Sequence, residues 1–131
     1  MSTLRLTSAQ ALVRYMIAQK VRQDDGRLEP LFAGVWAIFG HGNVAGLGEA
    51  LYAVRDILPT YRRHNEQTIA HAAIAYAKSL NRKRVMAVTS SIGPGATNMV
   101  TAAALAHVNR LPVLLLPGDV FANRRPDPVL Q

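Results

Sequence analysis

The feature that most constrains this chain occurs twice: a short apolar run, unbroken over 34–39 and closed by a threonine over 85–89, ends in a glycine turn, and the turn opens a helical pattern. Gly34-Val-Trp-Ala-Ile-Phe39 runs into Gly40-His-Gly-Asn43, and Val85-Met-Ala-Val-Thr89 runs into Ser91-Ile-Gly-Pro-Gly-Ala-Thr-Asn98. A strand that is apolar at every position, not at every second one, must be covered on both faces. That points to a parallel sheet between helices. With 131 residues, half of them hydrophobic, the chain is one domain with a sizeable core. The expected class is α/β: a three-layer αβα open parallel sheet with right-handed crossovers.

Local signals predict the elements. Thr7-x-x-Gln10 is a capping box, and Leu12, Val13, Met16, Ile17 and Val21 form one apolar face, so a helix is expected over 8–22. Gln23-Asp-Asp-Gly26 ends it, and 27–33, broken by Pro30, reads as a loop. A strand over 34–39, a tight turn over 40–43 and a helix from Val44 follow. That helix carries Leu47, Ala50, Leu51 and Val54 on one face, and Leu58-Pro-Thr60 closes it. Next come a brief strand over 61–64 and a helix over 66–80 with Ile69, Ala72, Ala73, Tyr76 and Ala77 inward. A strand over 85–89, a helix from Pro94 to Asn109 and a strand over 113–116 complete an αβαβαβαβ order. Residues 121–131 read as a loop with no closing element. A further strand and helix are expected, so the chain is expected to be part of a longer polypeptide.

Composition removes several function classes. Without cysteine there is no disulfide framework, thiolate metal site or Cys nucleophile, which fits a reducing, cytoplasmic setting. The first residues are too short and polar for a signal peptide, and the apolar runs fall short of a membrane span. The net charge of +7 sits largely in Arg62-Arg63, Arg82-Lys83-Arg84 and Arg124-Arg125. No aromatic residues interleave with these clusters and no reading-helix motif is present, which favours solvated loop ends over nucleic-acid binding. His41, His64, His71 and His107 lack ligand spacing, so no metal site made by this chain alone is expected.

Glu66 is the leading candidate for chemistry. It stands where a strand turns into a helix. In an open parallel sheet such junctions share the edge that binds ligands. Glu66 and the turn at 93–95 should therefore face one crevice, and His41 and His64 fall on the same edge. By spacing alone, Glu66 also fits an acid that stabilises a helix dipole and does nothing else. Gly40-His-Gly-Asn-Val-Ala-Gly46 resembles a dinucleotide fingerprint, but the acid due about 20 residues later is missing. Tyr61, Arg62 and Arg63 stand there, which would suit only a 2′-phosphate, as in NADP. A tight turn is the simpler reading. The 91–98 run lacks the Lys-Ser/Thr of a P-loop and the Gly-x-Ser-x-Gly of a nucleophile elbow.

Three runs taken together carry a resemblance: Arg63-His-Asn-Glu66-Gln, Thr89-Ser-Ser-Ile-Gly-Pro-Gly-Ala-Thr-Asn98 and Leu111-Pro-Val-Leu-Leu-Leu-Pro-Gly118. They are similar to the N-terminal pyrimidine-binding domain of thiamine-diphosphate-dependent enzymes, relatives of acetohydroxyacid synthase and pyruvate oxidase. Asn65 is inserted into the usual His-Glu-Gln spelling, and Ile92 varies the second run. The resemblance implies that Glu66 hydrogen-bonds N1′ of the cofactor pyrimidine and favours its imino form, so that the cofactor's own amino group can take the C2 proton. It implies that His41 and Gly42 border the cofactor and that Pro94 and Asn98 lie near the pyrimidine. Mg²⁺ and the diphosphate are expected on a Gly-Asp-Gly…Asn motif in a separate domain. The Gly118-Asp119 pair here is followed by Val120, without that spacing.

The resemblance further implies a homo-oligomer, dimer or tetramer, and an isolated chain that is inactive. A narrower likeness rests on Arg5-Leu-Thr-Ser-Ala-Gln-Ala-Leu12, Ile38-Phe-Gly-His-Gly-Asn-Val44 and Arg125-Pro-Asp-Pro-Val-Leu-Gln131. It points to a branch of the family that hydrolyses a carbon–carbon bond in a small cyclic diketone. An acetohydroxyacid synthase-like enzyme and a non-catalytic interaction module of the same fold stay open beside it.

Overall fold

The structure, a computed structural model, describes residues 3–120 and 123. The first helix, α1 (Ser8–Ala18), starts at the expected capping box. Gln10 N–H donates to Thr7 Oγ1 at 3.2 Å, and Thr7 N–H donates to Gln10 Oε1 at 3.0 Å. Such caps contribute about 1 kcal/mol. α1 stops four residues before its predicted end. Lys20–Arg22 (β1) instead pairs antiparallel with Leu28–Pro30 (β2), so 27–33 is not a loop. Val21 satisfies a helix face and an alternating strand equally. The turn decides: Gly26 adopts φ +84°, and Lys83 Nζ anchors Asp24 at 2.6 Å from 59 residues away. Pro30 is tolerated because this is an edge strand.

Four parallel strands form the main sheet: β3 (Phe32–Ala37), β4 (Thr60–Arg62), β5 (Val85–Thr89) and β6 (Leu114–Leu116), in the order β4-β3-β5-β6. Successive side chains leave opposite faces. Phe32 and Val35 of β3, Val85 and Ala87 of β5, and Leu114 and Leu116 of β6 join one core cluster. Ala33, Trp36, Met86, Val88, Val113 and Leu115 join the other. Phe32 and Val35 share a face because the β3–β5 register shifts between them.

The helices divide accordingly. α1 packs on the first face with one long helical stretch: α2 (Gly40–Asn43), a π-helical segment Val44–Gly48, and α3 (Glu49–Tyr52). On the second face lie α4 (Glu66–Ser79) and α6 (Val100–Val108), preceded by the single turn α5 (Pro94–Thr97). The chain moves one way across the sheet from β3 to β4 and the other way from β4 to β5. Right-handed connections then require helices on opposite faces, which is how they lie. Full burial of side chains such as Met16, Leu51 and Ile69 contributes about 1.5–3 kcal/mol each. The α/β three-layer class is as expected.

Other boundaries differ. β3 begins at Phe32, not Gly34, and ends at Ala37. Gly34 sits inside the strand because a Cβ there would come 2.7 Å from the Pro59 carbonyl oxygen. Residues 40–43, expected as a tight turn, already form a helical turn. Gly40 makes the bend at φ +68°, and the extra residue is absorbed as a π-bulge. β4 ends at Arg62, not His64. The helix expected over 94–109 is broken at Asn98 and Met99. The 121–131 tail, with Arg124-Arg125, falls outside the described residues except for position 123.

The basic clusters do more than solvate loop ends. Arg82 donates from Nε to Arg110 O at 3.1 Å, close to the carbonyl end of α6. Arg63 lies 4.9 Å over the Trp36 ring, which in turn packs 5.0 Å from Tyr61. The aromatic partner missing from the local sequence is therefore supplied by the neighbouring strand.

Candidate functional site

At the carboxyl edge of the sheet, β4 runs into α4 and β5 runs into α5. Asn65, the residue inserted before Glu66, is the N-cap of α4: Thr68 N–H donates to its Oδ1 at 3.0 Å. This fixes Glu66 as the first helical residue, where the dipole favours its charge. On the other side, Gly93 takes φ +58° and ψ −115°, open only to glycine, and Pro94 starts α5 with a ring that cannot obstruct a first turn. Thr97 N–H donates to Gly93 O and Asn98 N–H to Pro94 O, both at 2.9 Å.

Both junctions lie on the second face, so they meet. Glu66 projects its half-buried carboxylate toward the 91–98 turn. Ser91 Oγ donates to Oε1 at 3.4 Å, and Asn98 Nδ2 donates to Oε2 at 3.5 Å. Both contacts are long. They orient the carboxylate without using up its acceptor capacity, since each oxygen keeps lone pairs for a further donor. Gly95 lies buried beneath. A Cβ there would come 2.5 Å from Glu66 Oε1 and would overlap Ser91 Oγ. The open cavity above has a volume of about 530 Å³ and is lined by Glu66, Ser91, Pro94, Gly95, Thr97 and Asn98.

Of the expected site residues, the fold brings Glu66, Pro94 and Asn98 to this one cavity. His41 and Gly42 do not line it. They lie exposed on α2, where a Cβ at Gly42 would meet nothing within 4 Å. Gly95 belongs to the 93–95 turn expected to face Glu66, and it does; Ser91 and Thr97 lie in the same run but are not among the expected site residues. Thr89 and Ser90, at the end of β5, are fully buried, and Gly118 N–H donates to Ser90 Oγ at 3.4 Å. Among the described residues, no three His, Cys, Asp or Glu side chains cluster to hold a metal, and no helix is long and apolar enough to cross a membrane.

Comparison with known proteins gives the family. The family described as thiamine pyrophosphate enzyme, N-terminal TPP binding domain, matches residues 33–131; thiamine pyrophosphate is a synonym of thiamine diphosphate. Over its whole length the chain is 60% identical to a 3D-(3,5/4)-trihydroxycyclohexane-1,2-dione hydrolase of Geobacillus thermodenitrificans. It is 55% identical to one from Bacillus cereus and 54% identical to one from Bacillus thuringiensis. In each case it spans about 20% of the relative's length. With the strand order, the glycine turn and the carboxylate of Glu66 in place, the match makes this chain a member of the thiamine pyrophosphate enzyme family, in its N-terminal TPP-binding domain.

Proposed function

We propose that this chain is the pyrimidine-binding part of a thiamine-diphosphate-dependent hydrolase. The reaction is the opening of trihydroxycyclohexane-1,2-dione, a cyclic diketone, to 5-deoxyglucuronate in myo-inositol catabolism. The enzyme works in the cytoplasm as a homodimer or homotetramer. Names and identities of the relatives support the substrate, and the site supports the cofactor. The observation that carries the reading is the Glu66 carboxylate, held over the bare Cα of Gly95 with acceptor capacity to spare.

The residues present fit an aminopyrimidine. A ring nitrogen needs one carboxylate acceptor at the rim of an open cavity, and Gly95 leaves the space that a side chain would fill. Glu66 would hold the proton at N1′. Ser91 and Asn98 would keep its plane fixed while it does so, and Pro94 and Thr97 would flank the ring. When bound, thiamine diphosphate supplies a nucleophilic carbon and an electron sink for C–C cleavage. The diphosphate and its Mg²⁺ are assigned to another domain of the longer enzyme.

Two measurements test this. In the full-length enzyme carrying this segment, Glu66→Gln should lower kcat by about 10²–10⁴-fold with the fold intact by circular dichroism. Retained turnover would sink the role of Glu66. The 131-residue chain alone should show no micromolar binding of thiamine diphosphate with Mg²⁺ by calorimetry, and such binding would refute the division of the site between domains.

A further inference from the structure

A second cavity, of about 270 Å³, opens beside the edge strand β4 and shares no residue with the Glu66 cavity. Its floor is apolar, made by Phe39 and Leu51. Gly48 keeps it open: the Phe39 ring lies 3.7 Å from where a Cβ would stand, so a larger side chain would grow into the space. Its rim is cationic, with Arg55 and Arg62.

Two details mark it as more than a surface dent. Arg55 is already positioned. Its Nη1 donates to Tyr52 O at 3.0 Å, and its guanidinium carbon lies 4.4 Å over the Tyr52 ring, so little freedom is left to lose on binding. Thr60 is also on the lining, and its Oγ1 is buried with no hydrogen-bond partner. A buried hydroxyl left unmet is a cost that a ligand oxygen would remove. Among the described residues neither Arg55 nor Arg62 is ion-paired, and the nearby Asp56 does not line the cavity.

We propose that this cavity binds a small organic anion: one flat apolar ring bearing a single carboxylate or phosphate. The ring lies against Phe39 and Leu51. The anionic group takes hydrogen bonds from Arg55, Arg62 and the Thr60 hydroxyl. The volume lies just below the usual range for drug-sized ligands, about 300–1,000 Å³, which limits the occupant to a single ring.

The test is an amide-shift titration of the ¹⁵N-labelled 131-residue chain at low salt. Phenyl phosphate and benzoate are the probes, which separates phosphate from carboxylate. Inorganic phosphate lacks the ring, and benzyl alcohol lacks the charge. Saturable shifts are expected at Leu51, Tyr52, Thr60 and Arg62 with at least one of the two probes. Arg62→Ala should weaken the apparent Kd at least about 10-fold, Thr60→Val a few-fold, and Lys78→Ala not at all. The proposal fails if neither probe gives saturable shifts there, or if shifts spread equally over Arg82–Arg84. It also fails if inorganic phosphate or benzyl alcohol binds as tightly as the probes, or if Arg62→Ala leaves the Kd unchanged.

Discussion

Replacing Gly95 by alanine separates the two things Gly95 does. The new methyl carbon would stand 2.5 Å from Glu66 Oε1, about 0.9 Å inside an ordinary 3.4 Å contact, and it would overlap Ser91 Oγ. Both obstructing atoms end flexible side chains, so each would swing aside. Pushing two side chains off their rotamers costs about 0.5–1.5 kcal/mol each. The backbone pulls the other way: Gly95 lies in α5 without a positive φ, so alanine gains about 0.4–1 kcal/mol there. The net loss of stability is about 0–2.5 kcal/mol. On the role proposed for Glu66, function should suffer more, because a misplacement of about 1 Å costs on the order of 10²-fold in rate. In the full-length enzyme, kcat should therefore fall about 100-fold with a small change in melting temperature. Denaturant unfolding of the 131-residue chain isolates the cause. Gly95→Ala should not stabilise the parent chain. In a Ser91→Ala/Glu66→Ala background, where the obstruction is gone, it should stabilise by about 0.4–1 kcal/mol. The same cost in both backgrounds would refute a steric role for Gly95 at the carboxylate.

Asn65→Ala removes the α4 cap and should cost about 1 kcal/mol by denaturant unfolding, with the loss largely recovered by Asn65→Asp. Asp25 offers a pH test. Arg27, first through its backbone N–H and then through its side chain, holds the Asp25 carboxyl below its ordinary value of 3.8. A depressed folded-state pKa stabilises above the unfolded value and loses that contribution as pH falls through the folded value. The Asp25 carboxyl carbon should thus titrate below 3.8 by NMR, and Arg27→Ala should move it back toward that value.

Much of the fold could be read from residues that act locally. Thr7 and Gln10 cap α1 through a contact three residues long. Val85–Val88 is apolar throughout, and Val85–Thr89 is the strand whose bounds matched the expectation. Pro94 and Gly93 mark a helix start because φ and the missing N–H constrain their own residues. The errors fall where local signals were degenerate. Lys20-Val21-Arg22 suits helix or strand, and its pairing with Leu28–Pro30 was settled by a turn and a distant lysine. The π-helical segment at Val44–Gly48 carries no periodic signature that separates it from an α-helix starting at Val44. The thermodynamic effect of one extra residue appears only when both of its flanks are packed.

The layered parallel class follows from the order of residues, which also puts a carboxylate at one strand-to-helix junction and a glycine turn at another. Those demands come from burial on both strand faces and from backbone dihedrals, which depend on few neighbours. By spacing alone Glu66 is either a dipole partner or a working acid, and the family resemblance favours the acid. The folded chain supplies the contacts: Glu66 meets Ser91 and Asn98, 25 and 32 residues further on, in the crevice the junctions predict, while His41 and Gly42 lie outside that cavity. The reason is handedness: reversing direction across the sheet sends α4 and α5 to one face and the helix at Gly40 to the other.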